Sequence, residues 1–315
     1  MSQTPLTYVL ILNYCSLEDS IACVNSVRQT DYPNTRLLVI DNASPDNSGY
    51  FLSNLIPSNE LLRLDKNTGY AGGNNIGISH ALKENADYIF IVNPDIRLPT
   101  NAISTYVDIM LKKPEIYALN PVQLSENNEI DKKFSNAMFS QNNYPTPTIS
   151  PTGSRVWDVN KLFGAALFIS RTAIEKTGGF DPLFFAYWEE IDLCRRFKLN
   201  GGRLIVTEKA PVIHLRTKEN KTKPDDFVLF LRLKGMYLDK LKNPDLNFIS
   251  SLNQITRECI YYLHNDFTGM FAWKKKHFFK SLLWIYANLP TIARHRYRER
   301  KAGPLYLPMP KKKNS

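Results

Sequence analysis

Tyr88-Ile89-Phe90-Ile91-Val92-Asn93-Pro94-Asp95 is the stretch that decides the fold. Its unbroken apolar run reads as a central strand covered on both faces, because a strand with one wet face would alternate. Pro94 has no amide hydrogen to give to a ladder, so Asn93 and Asp95 stand at the strand's carboxyl edge. In an open α/β sheet that edge is where ligands bind. A carboxylate there suits a divalent cation, and a cation suits a diphosphate.

The flanking sequence repeats the pattern. Residues 8–13 form a short apolar strand, and 16–29 read as a helix with Ser16 as its cap. Residues 37–40 are a second apolar strand ending on Asp41, and 45–55 are a loop leading into a helix. Residues 61–64 are a third strand. A helix over 74–84 is entered through the glycine-rich Gly69-Tyr70-Ala71-Gly72-Gly73. Strands alternating with helices predict an α/β fold with a mostly parallel sheet flanked by helices.

After the helix that follows Pro99, residues 123–154 are polar and aperiodic. They read as a surface excursion over the site or as a tolerated insertion. A strand resumes over 162–170, and a short helix over 171–177 stops at Gly178-Gly179. A helix over 188–199 stops at Gly201-Gly202. A strand covers 204–207, with Val212-Ile213-His214 just beyond, and from 227 to about 287 the chain reads as helical.

With 315 residues, 43% hydrophobic and 22% charged, the composition is that of an ordinary globular protein. Cys15, Cys23, Cys194 and Cys259 are scattered, which indicates neither a zinc site nor a disulfide framework and fits a reducing cytosol. The chain runs into a strand at Tyr8, so no signal peptide is expected. The net charge of +10 is concentrated in residues 273–315, which carry twelve Lys/Arg against one Glu. The near-neutral body argues against nucleic acid as a partner, and the basic arm points to something anionic. Phe278, Phe279, Leu282, Leu283, Tyr286 and Leu289 recur at helical spacing, well short of the roughly 20 residues needed to cross a bilayer. They fit an amphipathic helix lying on the cytoplasmic face of an anionic membrane. Packing within the chain or in a homo-oligomer would use the same residues.

Three constellations carry candidate chemistry. Asp41, followed by Asn42-Ala43-Ser44, reads either as a carboxylate for a base or ribose or as a turn that caps the next helix. The glycines of Asn67-Thr68-Gly69-Tyr70-Ala71-Gly72-Gly73-Asn74-Asn75-Ile76-Gly77 let backbone amides approach a ligand, or simply make a tight turn. This is neither a Walker loop nor a dinucleotide fingerprint. In the third, Phe184, Phe185, Tyr187 and Trp188 precede Glu189, Glu190 and Asp192 at a helix start. Aromatic faces beside carboxylates suit a sugar, although acids at a helix start also answer the macrodipole. Glu189 and Asp192 share a helix face and Glu190 does not, so one or two of these acids pair with Arg195 or Arg196. His214 is of interest only where it meets Asp95.

With these residues in order, residues 6–216 resemble a family-2 inverting glycosyltransferase of the GT-A fold, closest to the bacterial rhamnosyltransferase branch. The matches are Val39-Ile40-Asp41-Asn42-Ala43-Ser44 with Asp46, the Asn67–Gly77 loop, Asn93-Pro94-Asp95, and Gly178-Gly179-Phe180-Asp181 through Trp188-Glu189-Glu190-Ile191-Asp192-Leu193 to Arg196. The resemblance implies a nucleotide-sugar pocket from Asn13, Asp41, Asn67, Gly72, Asn74, Asn93 and Asp95. It implies acceptor contacts from Tyr187, Trp188 and Asp192, and Mg2+ or Mn2+ held by Asp95 and His214. The family's second acid of a Glu-Asp pair is the base; here that position is Glu190, with Glu189 as the other candidate. The implied organisation is a nucleotide-sugar-binding and catalytic domain over 1–226 and a helical, basic C-terminal region over 227–315. The implied reaction moves L-rhamnose from dTDP-L-rhamnose to a lipid-linked cell-surface polysaccharide. A UDP-hexose or galactofuranose transferase, and a non-catalytic carbohydrate-binding or scaffolding protein, are the alternatives.

Overall fold

The computed structural model describes residues 4–139, 148–149, 155–217, 224–268, 273–299 and 303–307. Four parallel strands form one half of a mixed sheet: β1 (Thr7–Asn13), β2 (Thr35–Asp41), β3 (Leu61–Arg63) and β4 (Tyr88–Val92), in the order β3-β2-β1-β4. All five residues of β4 are buried. The fully covered Ile89 and Phe90 each contribute about 1.5–3 kcal/mol relative to exposure.

The second half departs from a parallel pattern. Strand β9 (Ala166–Ser170) runs antiparallel to β4 and to β6 (Ile116–Leu124). Strand β10 (Arg203–His214) pairs parallel with β6, and antiparallel with β8 (Arg155–Asp158) and with the two-residue β5 (Ile96–Arg97). The two apolar runs expected at 204–207 and 212–214 are therefore one strand, irregular between Thr207 and Val212, where Ala210 takes a left-handed conformation at φ 54°.

Helices α1 (Leu17–Arg28), α2 (Ser48–Leu55), α3 (Gly69–Lys83) and α4 (Ala102–Lys112) connect these strands. The glycine-rich segment proves to be the first turns of α3, not a loop before it. Its glycines serve packing: a Cβ on Gly73 would stand 2.5 Å from Leu12, and one on Gly77 2.6 Å from Ile40. Helix α3 thus lies directly on the sheet. Strand β9 starts at Ala166 rather than 162. The preceding turn is tied down instead, with Asn120 Nδ2 donating to the Phe163 carbonyl and Oδ1 accepting from the Phe163 amide. The polar stretch after 123 is also not featureless. It contains the end of β6, a turn over 125–131, α5 (Lys132–Phe139) and β7 (Thr148–Ile149); residues 140–147 and 150–154 lie outside the described residues.

Helices α6 (Arg171–Thr177) and α7 (Glu189–Leu199) follow β9. The C-terminal region contains α8 (Asp226–Lys242), α9 (Phe248–His264) and α10 (Lys275–Glu299). These helices share an apolar core that takes in Phe184, Leu183 and Trp188 from the segment before α7. The chain then returns to the body. The Gly179 amide donates to the Leu305 carbonyl at 3.0 Å, and Leu307 enters the core under the sheet. Gly178, at φ 84°, has no room for a Cβ beside Leu305.

Candidate active site

The parallel register places the site residues side by side. Asn13 pairs with Asp41 at the ends of β1 and β2, and β4 lies on the other side of β1, so Asn93 and Asp95 emerge next to them. Asn13 and Asp41 are buried and joined: Asn13 Nδ2 donates to Asp41 Oδ1 at 2.8 Å, and Ser44 Oγ donates to the same oxygen at 2.6 Å. Asp41 is thus the turn-stabilising carboxylate of the second reading, placed at the carboxyl edge of the sheet. Asn42 carries a second junction. Its Nδ2 donates to Asn67 Oδ1 and to the Gly69 carbonyl, and its Oδ1 accepts from the Thr68 amide. Asn67 Oδ1 in turn accepts from the Gly69 amide at 2.8 Å. Asn74 is buried in α3 with Nδ2 on the Tyr70 carbonyl and Oδ1 without a partner. Gly72 lies against the Thr68 side chain.

Asp95 and His214 come together, although 119 residues separate them in the sequence. The antiparallel pairing of β5 with β10 sets Ile96 opposite His214, and the Leu215 amide donates to the Asp95 carbonyl. His214 Nε2 is 3.3 Å from Asp95 Oδ2. On the other side of the ring, Nδ1 lies 2.8 Å from Gln123 Oε1. An amide oxygen only accepts, so Nδ1 carries the hydrogen, and a neutral ring turns the Nε2 lone pair toward Asp95. A lone pair facing a carboxylate is repulsive unless a proton or a cation lies between them. Two donors on one cation at about 2.0–2.2 Å stand roughly 3.0–3.5 Å apart, so the pair fits a divalent ion. Among the described residues no third His, Cys, Asp or Glu joins them. That suits an ion completed by water and phosphate oxygens. Burial opposes the Asp95 carboxylate, but with a proton on Nε2 the hydrogen bond and charge of His214, helped by Arg216, outweigh it and hold the Asp95 pKa below the ordinary value. Arg216 also pairs with Asp131 at 2.7 Å, placing a guanidinium beside the pair.

The other side of the site is the start of α7. Phe185, Tyr187 and Trp188 all sit at positive φ, 66°, 69° and 76°. Bulky residues adopt that region only under constraint. The constraint is visible. The Phe185 carbonyl accepts from the Ala71 amide at 3.0 Å, Lys234 Nζ donates to the Leu183 and Phe184 carbonyls, and Trp188 packs on Gly235 of α8. Arg232 lies over the Tyr187 ring.

Glu189 Oε2 and Glu190 Oε2 are both buried without a hydrogen-bond partner. Burial is the main cause of a Glu190 pKa raised to about 7; Asp239 adds to it, while the residue's own amide and Lys161 oppose it. Glu189 is raised well above its ordinary value by burial and by Glu190. Tyr70 feels both acids, and its hydroxyl donates to the Gly164 carbonyl at 2.7 Å. The next carbonyl, of Ala165, accepts from the Asn93 amide. The helix start is thereby tied to the sheet edge that carries Asp95.

Asp192 corrects an expectation. It is fully buried and bound to Arg195, Arg196 and Lys242, so it holds the fold and offers nothing to an acceptor. The pairing with Arg195 and Arg196 is as expected from helical spacing. Gln123, Arg216, Lys234 and Lys242 went unread in the sequence, where nothing local marks them. A cavity of about 800 Å3 lined by Leu6, Asp87, Tyr88 and Arg171 opens at the opposite, amino edge of β1 and β4, and none of the site residues line it.

The mixed α/β sheet flanked by helices, with helices after it, is a GT-A fold, the fold of glycosyltransferases. The profile of glycosyl transferase family 2 matches residues 9–178, more than half of the chain, and the chain belongs to that family. It is 24% identical over 250 residues to the low-salt glycan biosynthesis hexosyltransferase Agl10 of Haloferax volcanii, covering 73% of this chain and 74% of that protein. It is also 24% identical to the rhamnosyltransferase WbbL of Escherichia coli, over 49% of this chain and 63% of that one. The N-acetylglucosaminyl-diphospho-decaprenol L-rhamnosyltransferase of Mycobacterium tuberculosis is likewise 24% identical, over 56% of this chain and 66% of its own length. Among solved structures, S. aureus TarS 1-349 in complex with UDP superposes with a TM-score of 0.53 at 15% identity, covering 93% of this chain and 90% of that one. The mannosyltransferase PcManGT from Pyrobaculum calidifontis, in complex with GDP-Man and Mn2+, gives 0.50 at 15% identity, covering 95% and 74%.

Proposed function

We propose that this chain transfers a sugar from a nucleotide diphosphate donor to an acceptor hydroxyl in a single inverting displacement. The observation that carries the reading is the 3.3 Å approach of His214 Nε2 to Asp95 Oδ2 at the sheet edge. A bound Mg2+ or Mn2+ would offset the charge that grows on the departing diphosphate. Asp95 and His214 would hold that ion, while Asp41, Asn13 and the Asn67–Asn74 segment cradle the nucleoside.

Glu190 takes the proton from the acceptor hydroxyl. A base poised near pH 7 both accepts the proton and is ionised in time to do so. Glu189 beside it is raised as well, by burial and by Glu190. The Tyr187 and Trp188 rings would receive the acceptor. No covalent intermediate is needed, so no nucleophilic side chain is invoked.

The donor we infer is dTDP-L-rhamnose, supported by the rhamnosyltransferases among the relatives, and the acceptor a lipid-linked glycan precursor. The last helix supports work at an anionic membrane surface on the cytoplasmic side. Phe278, Leu282 and Leu289 of the expected stripe pack inward, whereas Phe279, Leu283 and Tyr286 remain 51%, 55% and 46% exposed beside the exposed Lys276 and Lys280. Among the described residues no helix is long and apolar enough to cross a membrane.

A panel of dTDP-, UDP- and GDP-sugars, scored for Mn2+-dependent protection against heating and for transfer, tests the reading. Protection by dTDP-rhamnose supports it. Protection by no nucleotide sugar contradicts it, and protection by UDP-sugars alone moves the donor to a UDP-hexose or UDP-galactofuranose.

A further inference from the structure

The C-terminal helices reach the start of α7 through buried charges. Lys242, the last residue of α8, has no exposed surface and lies 2.5 Å from Asp181, 2.6 Å from Asp192 and 2.6 Å from Glu299. These carboxylates come from three places: the segment before α7, α7 itself and the end of α10. Arg195 binds Asp192 at 3.0 Å and also pairs with Asp239, one turn before Lys242. Asp192 is two residues from Glu190 on a helix whose opening is already constrained at three aromatic residues.

We propose that Lys242 and Glu299 are positioning residues for Glu190, so that the C-terminal helices complete the active site rather than only extend the fold. The proposal rests on Glu190 as the base. Its physical basis is that a buried ammonium among three carboxyl groups allows few arrangements. Moving α7 by even part of a turn would separate Lys242 from Asp192 and leave buried charges uncompensated. Glu190 therefore has one place to stand. A misplacement of about 1 Å at a catalytic group can lower a rate about 100-fold.

The electrostatics agree. Lys242 and Arg195 hold Asp192 ionised, far below the ordinary range. Burial and the Asp192 charge raise Glu299 to about 8, with Lys242 and Arg195 opposing. The raised pKa favours a hydrogen bond shared between the Glu299 and Asp192 carboxyl groups. The groups that face Glu190 itself are Glu189, Tyr70, Lys161, Asp239 and Cys194. Of these, Asp239 is held in place by Arg195.

The test compares Glu299→Ala, Glu299→Gln and Lys242→Met in the full-length chain, each assayed well below its own melting temperature with the accepted donor. Glu299→Ala and Lys242→Met should lower kcat about 10- to 100-fold with donor KM unchanged, because the donor sits on the sheet edge. Glu299→Gln, which can still hydrogen-bond to Asp192, should keep most of the activity. Where Lys242→Met does not fold, the Glu299 pair decides. Folded Glu299→Ala with wild-type kcat, or the same loss in Glu299→Gln as in Glu299→Ala, overturns the proposal. Glu190→Gln serves as the reference: if it retains full activity the assignment of the base fails, whereas an inactive Glu190→Gln beside a fully active Glu299→Ala removes only the positioning role.

Discussion

The two sides of the site are built on opposite principles. The sheet edge with Asp41, Asn13, Asp95 and His214 is a product of register. Each residue ends or follows a strand, and its neighbours are fixed by backbone pairing. The start of α7 is a product of tertiary load. Its carboxyls are buried, its approach is at positive φ, and its anchors come from residues 50 to more than 100 positions later. The first arrangement favours an ionised acid ready for a cation. The second favours protonated acids, one of them tuned near neutrality. Sugar transfer needs both, charge stabilisation on the leaving side and proton uptake on the attacking side.

The strongest way to break this contrast is Asp95→Ala. Loss of the cation's carboxylate removes several kcal/mol of transition-state stabilisation, so kcat/KM should fall about 10³-fold or more. Mn2+ titration in the presence of nucleoside diphosphate should show weakened metal binding. Glu190→Gln comes next, with a loss of about 10²- to 10³-fold in kcat and little change in donor KM. Glu189→Gln should cost clearly less, since Glu190 and not Glu189 is the proposed base. Equal losses in the two variants would erase the distinction between the acids.

Stability against pH sharpens the contrast at smaller scale. Glu190 and Glu299 have pKa values raised in the fold to about 7 and about 8, above the ordinary 4.5. Such groups favour folding while protonated. Their contribution is full below about 4.5 and is lost as pH rises through about 7 to 8. Glu190→Gln should therefore raise the melting temperature at pH 8.5 by a few degrees, on the order of 1–3 kcal/mol, and leave it unchanged at pH 4.5. A gain of equal size at both pH values would show that burial does not set this pKa.

The smallest effect on the fold is expected at the exposed stripe of α10. Replacing Phe279, Leu283 and Tyr286 with Ser should change stability by less than about 1 kcal/mol while lowering sedimentation with anionic vesicles several-fold. Unchanged vesicle binding would remove the membrane from the account. Truncation at residue 272 is the wrong tool, because it would also strip Glu299 from Lys242 and Phe278, Ile285 and Ile292 from the helical core.

The contrast also explains what was legible in the sequence. The apolar runs ending on Asp41 and Asp95 announced both the parallel half of the sheet and its carboxyl edge, because strand burial and strand termination are local properties. The meeting of Asp95 with His214 was anticipated only through the family resemblance; no spacing rule links β5 to β10. The glycines at 73 and 77 look the same in sequence whether they cradle a phosphate or let a helix lie on a sheet, and only the contacts with Leu12 and Ile40 separate the two. Asp192 was read for a sugar because its true partner, Lys242, lies fifty residues downstream. The apolar stripe on α10 combined inward and outward positions, since helical spacing does not say which of two adjacent faces is covered.

The central claim is that burial at the start of α7 makes Glu190 the base. The kcat profile of the wild-type enzyme between pH 5 and 9, at saturating donor, acceptor and metal, tests it most directly. The rate should climb about tenfold per pH unit in the acid range and level off above about 7, with that limb absent in Glu190→Gln. A flat profile across the range, or an acid limb with its midpoint near 4.5, would contradict it.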